Sequence, residues 1–493
     1  MKWNGRTVFA LLLVSMIASS MLTMAFVKGT DHVASQGLIT SAAGNLFAPG
    51  DKGAYPEHFD KLRDAYNVIK REYIQDIPDQ QLIEGAIKGM IETLEDPYSD
   101  YMDPKTAQEF NSSLDSTFQG IGAEVTLQNG RVTIVSPFKG SPAEKAGLRP
   151  NDQILSVNGE SLEGLDLHEA VQKIRGPKGS KAVLEVLRPG VSEPMTVVCI
   201  RDDIPIETVY SEVLTKGSAK YGKIEIAQFS VDTAKHFAEQ LADLEKQGVQ
   251  GLVIDVRGNP GGYLLAVKDI GQQLIPNKGT IVKVVYGDKE KAEEEIRSTA
   301  TEAKPYPIVV LIDKGSASAS EILAGAMRDS GGYKLVGETS FGKGTVQNTL
   351  EMQDKSQLKL TIAKWLTPKG DWVHEKGIEP DVKVAQPAYF QATQLPPDKV
   401  LKRDMNGAEV KNLQVILEGL KLSPGRQDGY FDARTEQVVK QFQQAKKLPV
   451  TGTVDQATAA ALQEAILAEI RNPQNDQQLQ KALDVLEQQR KAK

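Results

Sequence analysis

Apolar positions recur with two periods along the chain, and the places where the period switches divide it. Over residues 58–73, Phe59, Leu62, Ala65, Tyr66 and Ile69 fall on one side of a 3.6-residue helix, and over 80–94 Leu82, Ile83, Ala86, Ile87 and Met90 do the same. From 118 to 202 the pattern is short strands between turns (120–125, 131–136, 152–159, 181–188), with helices predicted at 142–147 and 167–174. Strand and helix then alternate: strand 221–229, helix 232–247 and a buried strand 251–256. After them come the apolar run 308–312, a helix over 321–328, a strand at 334–336 and a closing strand at 359–366. Helices are predicted again at 409–419 and 435–446, and 474–493 reads as a charged amphipathic helix, either solvated or an oligomer contact.

Residues 1–28 break this pattern. Lys2 and Arg6 precede an uncharged run from Thr7 to Val27, long enough to span a bilayer with the cationic end inside. Ala18-Ser19-Ser20 is a weak cleavage cue, so an uncleaved anchor is favoured over a cleaved signal. Residues 29–54 read as a linker.

Composition narrows the function. The 493 residues give room for roughly three to four domains. The net charge of −7, with both signs interspersed, argues against a nucleic-acid partner. A single cysteine, Cys199, excludes an intramolecular disulfide and a cysteine-rich metal site, and neither metal nor cofactor is expected.

The chemistry concentrates in 308–347. A buried strand, a turn of small residues at 315–320 and a helix form a geometry that can expose a serine hydroxyl at a helix N-terminus. The five histidines (32, 58, 168, 236, 374) all lie outside this stretch. A lysine can act as base where its surroundings favour the neutral amine, and Lys343 lies between glycines with Glu338 the nearest acid in sequence. Two other readings compete. Gly337 to Lys343 is a near miss to a phosphate-binding GxxxxGK[ST] loop, but Gly344 stands where the hydroxyl is required. Alternatively, the small residues only allow close packing and Lys343 is a solvated loop lysine.

GSASASEILAGAMRDSGGYKLVGETSFGKGTVQ resembles the signature of the carboxyl-terminal processing (tail-specific) serine proteases, peptidase family S41, and the resemblance extends over about 55–385. It implies a nucleophile at Ser318, a base at Lys343 and an orienting glutamine at Gln347. It also implies an oxyanion hole from the Ala319 N–H and one N–H of the Gly261–Gly262 turn in RGNPGG, with the choice of glycine open.

SPAEKAGLRPNDQILSVNG resembles a PDZ domain. Gly120, Ile121, Gly122 and Ala123 are then the candidate loop for a peptide's terminal carboxylate, helix 167–174 the other groove wall, and Arg175 a candidate for coupling occupancy to catalysis. Residues 406–464 resemble a small helical peptidoglycan-binding domain, either a glycan binder or a packing unit.

The expected architecture is a multidomain α/β chain. A membrane segment (1–28), a linker (29–54) and an N-terminal helical segment (55–114) precede a PDZ domain (115–203). An α/β protease core of the ββα-spiral, crotonase-like type (204–386), a linker (387–404), an all-α peptidoglycan-binding-like domain (405–467) and a helical tail (468–493) follow. The N-terminal helices serve either dimer contacts or packing onto the protease body. The expected function is an extracytoplasmic endopeptidase, anchored to a bacterial membrane, that acts on proteins with unstructured C-termini. A homodimer and peptidoglycan contact are also expected. The alternative is a catalytically silent PDZ and wall-binding scaffold.

Overall fold

The computed structural model describes residues 58–492 apart from 115–116, 129, 139, 190, 192, 288–292 and 397–398. The anchor and linker expected over 1–54 lie outside the described residues. Among the described residues, no helix is long and apolar enough to cross a membrane. The chain forms two compact units, one of residues up to Asp103 with Asn348–Leu360, the other of Pro104–Gln347 with Thr361–Lys493.

In the first unit, α1 (Asp60–Glu72) and α2 (Asp79–Glu92) form where the periodicity places them, and neither has a fully buried residue. Strand β1 (Asp100–Met102) buries Tyr101 and Met102 and pairs antiparallel with residues 357–359.

In the second unit, α3 (Pro104–Leu114) leads into β2 (Thr117–Gly120). A six-stranded sheet follows, built from β3 (Ala123–Gln128), β4 (Arg131–Pro137), β5 (Gln153–Val157), β6 (Glu160–Ser161), β7 (Lys181–Leu187) and β8 (Met195–Ile200). Helices α4 (Pro142–Lys145) and α5 (Leu167–Ile174) interrupt it. Its order is β3-β4-β5-β7-β8, with β6 on β5, so β3 is an edge. Alternation in β7 buries Ala182, Leu184 and Val186 in one core with Ile121, Ala170 and Ile174. β9 (Asp202–Pro205) pairs antiparallel with β2, so entry and exit strands are zipped together and the module is self-contained.

The core of this unit is a six-stranded sheet of β10 (Val209–Lys216), β11 (Ala219–Ile226), β12 (Leu252–Asp255), β15 (Ile308–Ile312), β16 (Lys334–Gly337) and β19 (Val382–Lys383), in that order. All neighbours pair in parallel except the antiparallel β10–β11 edge. Continuous apolar runs in β12 and β15 signal burial on both faces. Helices α6 (Thr233–Lys246), α7 (Leu264–Leu274) and α8 (Ala319–Asp329) cover one face, packing on Ile254, Ile308, Val310 and Ile312. In this same unit β13 (Thr280–Tyr286) pairs with β14 (Glu294–Arg297) and with residues 363–366; β17 (Thr345–Glu351) and β18 (Gln357–Leu366) each contribute residues to both units.

The opposite face corrects an expectation. The tail helix, read from sequence as solvated or an oligomer contact, packs on this sheet. Three helices, α9 (Ala408–Gly419), α10 (Ala433–Ala445) and α11 (Gln456–Arg471), first form a separate core around Leu413, Ile416, Phe431, Val439 and Leu462. The chain then returns, and α12 (Gln477–Ala492) buries Leu479, Ala482, Leu483 and Leu486 against Tyr221, Val253, Val309, Leu311 and Val336. Burying such a side chain is worth roughly 1.5–3 kcal/mol for the larger ones, so the tail is an integral layer of the core.

The small helical domain also contains a repeat. Asp432 caps α10 through Thr435 N–H, and Asp455 caps α11 through Thr458 N–H, each at 2.8 Å. A buried glutamine serves each turn: Gln414 Oε1 accepts from Gly429 N–H, and Gln443 Oε1 from Gly452 N–H.

Candidate active site

The turn after β15 delivers Ser318 to the N-terminus of α8. Ser318 has φ 53° and ψ −112°, a left-handed conformation for a residue with a side chain. Such strain costs roughly 1–3 kcal/mol and persists only where the surroundings impose it. Here they do. Asp313 Oδ1 accepts from Gly315 N–H at 2.9 Å, Ser316 Oγ donates to Val256 O at 2.8 Å, and Ala317 N–H donates to Asn259 O at 3.0 Å. Ser318 itself is half-buried.

Glu321 ties this turn to the loop of Lys343. Its fully buried carboxylate accepts four hydrogen bonds. Oε2 takes the backbone N–H groups of Ser318 and Lys343, both at 2.8 Å. Oε1 takes Ser340 Oγ at 2.6 Å and Gly342 N–H at 2.7 Å. One carboxylate oxygen therefore joins the two residues that sequence singled out as nucleophile and base.

The far side of the Lys343 loop is clamped by β18 and the segment after it. Trp365 Nε1 donates to Lys343 O and Trp372 Nε1 to Gly344 O, each at 2.9 Å. His374 stacks on Trp372 with ring centroids 5.1 Å apart, and its Nδ1 accepts from Gly344 N–H at 3.3 Å. Lys343 is half-buried, while Phe341, two residues before it, and Trp372, in the segment after β18, are exposed apolar groups. Gln347 lies on β17, where its Nε2 donates to Thr345 Oγ1 at 2.9 Å and Thr361 Oγ1 at 3.1 Å.

The glycine turn after β12 abuts the serine. A Cβ on Gly261 would stand 2.9 Å from Ala317 O, 3.0 Å from Ser318 Cβ and 3.1 Å from Ala319 N, so a glycine is required for this approach. The structure separates the two candidate glycines. Gly261 N–H donates to Asn259 Oδ1 at 2.8 Å and is occupied in this conformation. The N–H groups of Gly262 and Ala319 have no acceptor among the described residues. Gly262 is bridged to Phe229 through its neighbours, since Phe229 N–H donates to Gly261 O and Tyr263 N–H to Phe229 O, which turns the Gly262 N–H away from Phe229. Asn259 is fully buried, and its Nδ2 donates to Ile226 O at 2.7 Å.

In the β3–β8 module, Ile121 is buried and Gly122 has φ +74°. The carbonyls of Ile121 and Gly122 accept from Ala143 N–H (2.7 Å) and Phe138 N–H (2.9 Å), while their own N–H groups have no acceptor among the described residues. Ala123 begins the edge strand β3. Arg175 caps α5, is exposed, and lies over the Phe118 ring at 5.0 Å, beside Gly120. Its described contacts are with Phe118 and Gly120 of β2 and, through its backbone N–H, with Val171 O. Cys199 sits in the core of the module at 1% exposure, where burial pushes its thiol up to about 11, and an un-ionised thiol is no competing nucleophile.

Five positions of consequence were missed from sequence. Glu321 could have been flagged by the Ser-x-x-Glu spacing of a helix start. Asn259 stands just before Pro-Gly-Gly, where a side chain that closes a turn is common. The Trp365, Trp372 and His374 clamp carried no local signal.

The core and its appended modules define a protease with a PDZ domain. The model for peptidase family S41 matches residues 220–384, and that for the N-terminal domain of the activating protease CtpB matches 16–106. A PDZ-domain model matches 133–188, beginning after the Gly120–Ala123 loop, and a putative peptidoglycan binding domain matches 406–462. The carboxy-terminal processing protease CtpB of Bacillus subtilis (strain 168) is 49% identical over 429 residues, covering 87% of this chain and 88% of that protein. The carboxy-terminal processing protease CtpA of the same organism is 41% identical over 482 residues, 97% and 98% of the two chains. A probable CtpA-like serine protease of Staphylococcus aureus (strain MRSA252) is 36% identical over 429 residues, 87% and 85%. The chain belongs to peptidase family S41, the carboxy-terminal processing proteases.

Proposed function

We propose that this protease uses a Ser318–Lys343 dyad and takes its substrates by their C-termini. The observation that carries the reading is the Glu321 carboxylate, one oxygen of which receives the backbone N–H of both Ser318 and Lys343. Neutral Lys343 Nζ takes the proton of Ser318 Oγ as the oxygen attacks the scissile carbonyl. The Gly262 and Ala319 N–H groups stabilise the resulting oxyanion. The C–N bond then breaks, the amine leaves with the proton returned by Lys343, and water attacks the acyl-enzyme by the same route. Gln347 gives its Nε2 to two threonines, leaving its Oε1 as the end that accepts from Lys343.

The edge strand β3 takes up an extended substrate end, and the N–H groups of Ile121 and Gly122 hold its terminal carboxylate. The protease works outside the cytoplasm, tethered by residues 1–28, as a homodimer, and its 406–462 domain meets peptidoglycan. The test is cleavage of casein, an unstructured protein, by the full chain, beside Ser318→Ala, Lys343→Ala and a chelator control. Loss of cleavage in both variants, with no effect of the chelator, supports the dyad. Activity surviving in either variant overturns it, and an inactive wild type that still binds C-terminal peptides is the scaffold reading.

A further inference from the structure

Arg257 opens the glycine turn, and every donor of its guanidinium is used. Nε donates to Asp255 Oδ1 at 2.9 Å and Nη2 to Asp255 Oδ2 at 2.7 Å. The other three bonds go to the approach to α12: Nη2 to Asp476 Oδ2 at 2.8 Å, Nη1 to Asp476 Oδ1 at 3.0 Å, and Nη1 to Gln478 Oε1 at 2.9 Å. The side chains of Arg257 and Asp476 are only 15% and 11% exposed.

Asp476 is itself fixed. Its Oδ1 accepts from Gln386 Nε2 at 2.6 Å and from Leu479 N–H at 2.9 Å, the latter capping α12. Gln478 Nε2 donates to Val384 O at 2.8 Å. Burial pushes the Asp476 carboxyl up, but the bonds and charge of Arg257 outweigh it and hold it below the ordinary carboxylate range. Asp255 meets only Nε and Nη2, so both Nη1 bonds go to Asp476 and Gln478, while Lys223 Nζ, 3.8 Å from Asp255 Oδ2, has Glu212 and Glu225 nearer at 3.2 Å each. The nearly buried cluster therefore needs its second carboxylate, and that carboxylate comes from beyond the peptidoglycan-binding-like domain.

From Arg257 the constraint runs directly into the turn. Gly258 N–H is held by Asp313 Oδ1 at 2.8 Å, Asn259 follows with its bond to Gly261, and Gly262 closes the turn. We propose that Asp476 is a positioning residue for catalysis: it fixes Arg257, Arg257 fixes the exit from β12, and the oxyanion turn keeps its place only while Asp476 holds Arg257. The inference rests on reading Gly262 as an oxyanion donor. Residues 472–475 alone separate Asp476 from the end of α11, so the tail that braces the turn is also the tether of the small helical domain.

The test uses the full chain and initial rates on a fluorescently labelled unstructured polypeptide. Asp476→Asn keeps an oxygen for the helix cap but removes the charge. It is expected to lower kcat by about 10- to 100-fold, the scale on which a misplaced catalytic donor costs rate, with KM within about twofold. Asp476→Glu recovers part of the loss. Leu483→Ala loosens α12 without touching Arg257, so it lowers the melting temperature and leaves kcat within about twofold below that temperature. Wild-type kcat in Asp476→Asn, or an equal fall in Leu483→Ala, overturns the inference. Activity surviving in Ser318→Ala overturns instead the catalytic reading beneath it.

Discussion

Two glycine turns in this chain present backbone N–H groups to a negative oxygen in the proposed function, and they are built in opposite ways. The turn from Gly258 to Gly262 is held from every side by side chains: the half-buried Arg257 in its two carboxylates, the buried Asn259 between Ile226 and Gly261, and the half-buried Asp313 on Gly258. The loop from Gly120 to Ala123 is held through carbonyls, Ile121 O on Ala143 and Gly122 O on Phe138, with the buried Ile121 side chain as its apolar anchor. The charged side chain beside it, Arg175, is exposed on the ring of Phe118.

The difference matches what each turn must bind. An oxyanion exists only in the transition state, so its donors are useful only if they need no reorganisation when it forms. A terminal carboxylate is present in the ground state, and an edge strand beside a few free N–H groups is enough to hold one. Damage to the first turn should therefore appear in kcat, and damage to the second in KM.

The largest effect is expected from Asn259→Ala. It leaves Gly261 N–H and Ile226 O without partners in a fully buried site, at about 1–3 kcal/mol each, and frees the turn that packs on Ser318. A fall in kcat of about 100-fold or more is expected, with KM little changed, together with a lower melting temperature. Steady-state kinetics well below that temperature separate the two effects. A purely thermal defect with intact kcat would break the comparison.

Gly122→Ala attacks the other turn. Gly122 has φ +74°, and a Cβ there would lie 2.5 Å from Ser141 Cβ and 2.8 Å from Ile204 Cδ1, so the loop must shift. An increase in KM of about tenfold is expected, with kcat within about threefold at saturation. Peptide binding to the inactive Ser318→Ala protein, read by fluorescence anisotropy, should weaken in parallel. A fall in kcat at unchanged KM would make this loop a switch rather than a receptor.

Most of the local structure around Ser318 was legible because its signals are local. The run Ile308–Ile312 specifies a strand buried on both faces, and the small residues after it allow the sharp turn to α8. Glu321 was not legible as a hub. A glutamate in the first turn of a helix reads as a dipole partner, and its burial depends on Ser340, Gly342 and Lys343 arriving from a later loop. That the Gly261 N–H is engaged and the Gly262 N–H is not was likewise visible only through the Asn259 side chain. The tail was misread for a related reason. Amphipathicity says that Leu479, Leu483 and Leu486 need cover, but not that the chain returns past a complete helical domain to find it. Helices α1 and α2 show the same kind of stripe, yet leave Phe59, Leu62, Ile69, Ile83 and Met90 exposed.

The smallest effect, and the one that sharpens the comparison most, is expected from Arg175→Ala. The guanidinium over Phe118 makes a cation–π contact worth about 0.5–1 kcal/mol when exposed, with its carbon 5.0 Å from the ring centroid. If the residue only steadies the carboxylate loop and adds charge beside it, KM rises about two- to fivefold and kcat stays within about twofold. Because the group is exposed, added salt should then weaken the wild type more than the variant, closing the gap between them. Arg175→Lys keeps the charge but not the flat face that stacks on the ring, so it should recover the salt dependence and only part of the affinity. A fall in kcat with unchanged KM would instead make Arg175 the residue that reports peptide occupancy to the core, and the two turns would then be parts of one device.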